Sequence, residues 1–186
     1  MKKWYNNPDM NLTYIIIGLG IILVLWIISV YNFFATAKTR IEAAIQEIGN
    51  QLKRQAELIP NLENSVKGYL KHEKGILQML SDARKMVANG QDASKKLAEV
   101  LPKLQVVVES NPQLKGSDVV TNLMDELRDT SDKVMYARRL MIDLTADYNV
   151  KMVTFPSSVI ANMFNFEKLK GLEISESETK TPKIDF

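Results

Sequence analysis

The sequence predicts an all-α protein, in which an N-terminal transmembrane helix continues into a long antiparallel, up-down-up-down four-helix bundle. Three observations carry this. Residues 10–37 contain no charged side chain. Beyond them, apolar residues recur at spacings of three and four as far as residue 153, the period of a helix with one buried face. No stretch alternates apolar and polar residues as a half-buried strand does. Along the chain this gives a short polar tail over 1–11, a transmembrane helix over 12–34, and a bundle with a short C-terminal amphipathic segment over 35–166. A polar tail, expected to be disordered, follows over 167–186.

The uncharged run is almost entirely Ile, Leu, Val, Gly and Trp between residues 12 and 30. At about 1.5 Å per residue the whole run extends about 42 Å, enough for a hydrocarbon core of about 30 Å and its interfaces. Ala35-Thr36-Ala37 has the small-x-small form of a signal-peptidase site. The apolar run is too long for the roughly 7–15 residues of a signal sequence, so the anchor is expected to be retained. Trp4, Tyr5 and Tyr14 at one end and Tyr31 at the other suit interfacial aromatic belts. Lys2 and Lys3 before the run balance Lys38 and Arg40 after it, so the positive-inside rule sets no orientation.

Four amphipathic segments follow. The first, over 38–59, carries Ile41, Ile45, Ile48, Leu52 and Ile59 on one stripe, with no breaker between it and the anchor. Pro60, which lacks an N–H, is expected to end it. The second, over 61–88, places Leu62, Val66, Tyr69, Leu70, Leu77, Leu80 and Val87 on its stripe and stops at Asn89-Gly90. The third, over 91–109, uses Leu97, Leu101, Leu104 and Val108; Pro102 should kink or divide it, and Asn111-Pro112 closes it. The fourth, over 117–153, is capped by Ser117 or Asp118. Its near-heptad stripe is Val120, Leu123, Leu127, Val134, Ala137, Met141, Leu144, Tyr148 and Met152. Such a stripe packs within a bundle or against a second chain. Pro156 ends it. At about 55 Å it is long enough to return to the bilayer that the first segment leaves.

Composition excludes several kinds of chemistry. The 24 Lys and Arg against 22 Asp and Glu leave a net charge of +2, which argues against nucleic acid as a partner. There is no cysteine, hence no disulfide, thiolate metal site or cysteine nucleophile. His72-Glu73 resembles the start of a zinc-protease motif, but the position four residues on is Ile76 and His72 is the one histidine. The abundant carboxylates Asp82, Asp125, Glu126, Asp129, Asp132 and Asp143 suit solvated helix faces paired with Arg128, Lys133 and Arg139. Arg84 and Arg138 are placed to pair with carboxylates between helices and fix register. No catalytic residue, metal ligand or cofactor is expected.

The candidate contact residues fall in two groups. Trp4, Tyr5, Tyr31, Val159, Ile160, Met163, Phe164 and Phe166 are candidates for the membrane interface, the last five being followed by Lys168 and Lys170. The segment from 159 to 166 meets lipid, caps the bundle's end, or binds a neighbouring copy. Leu127, Val134, Met141 and Leu144 are candidates for a self-association face. Lys67, Lys71 and Lys74, read as one face of the second helix, are a solvated face or a contact for anionic lipid or an acidic partner.

Several short runs together resemble the LemA family. They are Tyr31-Asn32 at the end of the apolar run, Gln51-Leu52-Lys53-Arg54, Leu58-Ile59-Pro60-Asn61-Leu62, Val66-Lys67-Gly68-Tyr69, His72-Glu73 and Ala83-Arg84. Asn111-Pro112-Gln113-Leu114-Lys115, Ala137-Arg138, Tyr148-Asn149 and Phe155-Pro156 continue the resemblance in order. It implies a bacterial protein with an N-terminal anchor and a long helical bundle, and it brings no enzymatic activity with it. The expected function is a membrane-anchored scaffold or adaptor in the cell membrane that self-associates. The alternative is a regulatory or adaptor subunit of a membrane protease or other envelope enzyme. The expected partners are the lipid bilayer, a second copy of the chain and a membrane protein.

Overall fold

The computed structural model describes residues 8–70 and 73–171. They form six helices, α1 (Pro8–Val66), α2 (Lys74–Ala88), α3 (Ser94–Ser110), α4 (Pro112–Lys115), α5 (Asp118–Val153) and α6 (Ser157–Met163), with no strand among the described residues. Two compact units result. One comprises the chain up to Arg40 and from Asp143 onward; the other is Ile41–Ile142.

The second unit holds the larger core. Its buried residues come from α1 (Leu58, Ile59, Leu62, Val66), α2 (Ile76, Leu80, Ala83, Val87), α3 (Leu97, Val100, Leu101, Leu104, Val108) and α5 (Val120, Met124, Leu127). Pro60 does not end α1, which continues to Val66. A proline inside a helix costs about 3 kcal/mol. Leu58, Ile59, Leu62 and Val66 are buried on both sides of it, and each contributes about 1.5–3 kcal/mol when removed from water. The stripe therefore outweighs the missing hydrogen bond. The break expected at Pro60 falls after Val66, where the Tyr69 and Leu70 N–H groups both donate to the Val66 carbonyl at 2.9 and 3.1 Å. Pro102 likewise lies inside an undivided α3, beside buried Leu101 and Leu104.

Two stripe positions are corrected. Ile45 and Tyr69 are exposed, and Ala44 and Gln55 are buried in α1. Gln55 is a polar residue within the core, and its Nε2 donates to the Ser131 hydroxyl at 3.4 Å. Arg84 pairs with Glu63 at 3.4 Å and Arg138 with Asp92 at 3.1 Å, as the sequence predicts for these two arginines. Asp92 also accepts the Ser94 N–H at 2.8 Å, so one carboxylate both starts α3 and holds α5. Arg54 joins Glu126 of α5 at 3.1 Å. On α5, Arg128 pairs with Asp125 and Lys133 with Asp129.

The helix ends follow local chemistry. Gly90 takes φ +71° just past α2, a conformation costly for a residue with a Cβ. The Asn111 side chain accepts from the Gln113 and Leu114 N–H groups, and Pro112 occupies the first turn of α4, where its absent N–H costs nothing. The Ser117 hydroxyl accepts from the Val120 N–H at 3.5 Å at the start of α5.

Candidate functional site: an aromatic cluster at the end of the uncharged run

In the first unit, exposure along α1 changes abruptly. The large apolar residues from Leu12 to Leu25, and Ile28, are 49–67 % exposed and Trp26 and Ile27 are half-buried, whereas Val30, Phe34 and Ala37 are buried. All lie on the uncharged stretch of α1, so the change reflects what covers the last turns of that stretch. The Phe34 ring stacks on Phe166 at 4.9 Å between centroids and meets Tyr148 edge-on at 5.3 Å. Tyr31 meets Phe164 edge-on at 5.0 Å and Phe166 at 5.7 Å. Lys151 on α5 places its ammonium 4.3 Å from the centre of the Phe33 ring, a cation–π geometry.

Polar bonds hold the chain after α6 against α5. The Tyr148 hydroxyl donates to the Glu167 carbonyl at 3.1 Å. Asn149 donates to the Leu169 carbonyl at 2.8 Å and accepts the Leu169 N–H at 3.0 Å. Burial, and after it the Glu167 carboxylate, raises the Tyr148 phenol above its ordinary pKa. The Ser157 hydroxyl, buried where α5 gives way to α6, lies 2.7 and 2.9 Å from the Lys151 and Thr154 carbonyl oxygens, which share its one proton. A cleft of about 340 Å³ opens between α1 and α5, lined by residues that include Phe33, Arg40, Leu144 and Asp147.

The predicted contact residues separate accordingly. Trp4, Tyr5, Lys71 and His72 lie outside the described residues. Tyr31, Phe164 and Phe166 are brought together, with Phe166 half-buried. Val159 and Met163 are exposed on α6, but Ile160 is buried and is withdrawn from any outward contact. Leu127, Val134 and Met141 are also withdrawn as a self-association face: they are buried within the chain's own packing, where burial of their side chains stabilises the fold. Leu144 is half-buried beside the cleft. Lys67 and Lys74 do not share a helix face, because α1 ends at Val66 and α2 starts at Lys74. The first residues of the expected tail, Glu167 and Leu169, are tied down; the tail beyond residue 171 lies outside the described residues.

Sequence reasoning missed Phe34 and the roles of Tyr148 and Asn149. A signal was present. Residues 152–166 form a second uncharged run of 15 residues, bounded by Lys151 and Glu167. Among the described residues no group of three His, Asp or Glu side chains is placed to hold a metal ion.

The described residues define an all-helical protein, and α1 has, over its N-terminal end, the length and apolarity needed to cross a membrane. The profile of the LemA family matches residues 44–186, and the chain belongs to that family. No curated protein matches the chain.

Proposed function

We propose that this chain is a membrane-anchored helical scaffold that self-associates, performs no catalysis, and resides in the cell membrane as a single-pass protein. In this reading the helices of the second unit form an up-down-up-down bundle that serves as the interaction module. One observation carries the reading: the large apolar residues from Leu12 to Leu25 are all more than half exposed. Residues 12–29 extend about 27 Å as a helix, close to the thickness of a hydrocarbon core. In water that surface would exceed the apolar patches that monomeric proteins tolerate.

Self-association needs a face other than the buried stripe of α5. Met135 and Ile142, seven residues apart on α5 and exposed, with Tyr136 beside them, supply one. A second reading, an adaptor for an envelope enzyme, is favoured by a cleft of about 480 Å³ between α2 and α3, lined by Ile76, Met79, Val106, Val107 and Lys103. Native mass measurement of the detergent-extracted full chain separates the two. Homo-oligomers that dissociate on Met135→Asp support the scaffold. A monomer carrying a foreign subunit in fixed ratio supports the adaptor and overturns the scaffold.

A further inference from the structure

We propose that the second uncharged run forms an interfacial collar, with Phe155, Val159, Met163 and Phe164 inserted into the headgroup region of the bilayer beside the anchor. The proposal rests on the reading of α1 as membrane-spanning and adds a second site of lipid contact at the far end of the sequence.

Tyr31 and Phe34 lie in the last turns of the uncharged stretch of α1. If residues 12–29 fill the hydrocarbon core, these two rings fall at its boundary with the headgroups. Phe164 and Phe166 touch them at 4.9–5.7 Å between ring centroids, so the end of the run is held at the same depth. Asn149 and Tyr148 fix the chain that follows, which keeps the run from swinging away.

The side chains of the run divide between two faces. Ile160 and Ala161 face inward and are buried, as is Ser157. Phe155, Val159 and Met163 follow one another at intervals of four, are exposed by 55–79 %, and have no charged residue among them. Val159 and Met163 lie four apart on the seven-residue α6 and Phe155 in the turn before it; in water these large side chains would forgo burial worth about 25 cal/mol per Å². At the boundary of a bilayer the same face is satisfied. The residues flanking the run suit that place: Lys151 before it and Lys168 and Lys170 after it supply cations at headgroup level. The occupant is therefore lipid.

The chain has no cysteine, so single cysteines report without background. The full chain is reconstituted, at no more than one copy per vesicle, in phosphatidylcholine with a minority of phosphatidylglycerol. Cysteines at Val159, Met163, Ile22 and Val106 are labelled one at a time with an environment-sensitive fluorophore. Nitroxide lipids quench from the headgroup or from mid-chain. Labels at Val159 and Met163 are expected to lose fluorescence strongly with the headgroup nitroxide and less with the mid-chain one. A label at Ile22 is expected to show the reverse, and one at Val106 to respond to neither. If the Val159 and Met163 labels behave like Val106 while Ile22 is quenched from mid-chain, the collar is refuted and the anchor stands. If Ile22 is unquenched as well, the anchor reading fails and the collar with it.

Discussion

Asn149 and Leu169, twenty residues apart, are joined by two hydrogen bonds between one side-chain amide and one backbone residue. The amide donates to the Leu169 carbonyl and accepts the Leu169 N–H. This pair turns the first residues of a polar tail into part of the first unit. Asn149→Ala is expected to release them. Each bond contributes about 1 kcal/mol, so exchange of the Leu169 amide hydrogen should accelerate about five- to thirtyfold. Unchanged exchange would show that Leu169 is held by something other than Asn149.

Tyr148 provides a pH test. Its phenol donates to the Glu167 carbonyl, and burial with the Glu167 charge raises its pKa above the ordinary value of about 10. The protonated phenol is the form that the fold favours. Its contribution to stability is complete below the unfolded pKa and is lost as pH rises through the higher folded value. Absorbance titration of phenolate formation should show a late-ionising component that disappears in Tyr148→Phe. A component that persists in the variant would assign it to another tyrosine.

On α5, neighbouring apolar residues should behave oppositely. Leu127 is fully buried, and Leu127→Ala is expected to cost about 2–5 kcal/mol, a large part of a domain's stability. Met135 is exposed, and Met135→Ala should cost about 0.5 kcal/mol or less. Urea unfolding followed by circular dichroism distinguishes them. Equal midpoints for the two variants would contradict the assignment of faces.

Two ion pairs at the same distance should differ in strength. In Arg138–Asp92 the carboxylate is only 14 % exposed and also accepts the Ser94 N–H. Asp92→Ala leaves both donors without it and is expected to cost about 1–3 kcal/mol. Arg54–Glu126 is 45 and 47 % exposed, and Glu126→Gln should cost no more than about 1 kcal/mol, falling with added salt. Unfolding midpoints at low and high salt measure both.

Much of this architecture is legible in the sequence where one residue type decides the outcome locally. Ser117 starts α5 and Asn111-Pro112 separates α3 from α4, because capping needs only neighbouring backbone. That Arg84 and Arg138 pair with carboxylates is legible from their charge, but not which ones: Glu63 is on α1 and Asp92 just before α3. The prolines mislead because their cost is local while the burial that overrides it is tertiary: Leu58, Ile59, Leu62 and Val66 carry α1 through Pro60. The stripe on α5 was legible as apolar, but not whether its partner was the same chain or another. Tyr148-Asn149 stands out as a pair, yet its partners are backbone atoms of Glu167 and Leu169, which no side-chain pattern announces.

The central claim is that residues 12–29 hold the protein in a bilayer through apolar burial. Membranes carrying the full chain are washed with high salt and then with alkaline carbonate, and pellet and supernatant are compared. An integral anchor predicts full-length chain in the pellet after both washes, because burial of that helix far exceeds what surface electrostatics supplies. Full-length chain in the carbonate supernatant would contradict it.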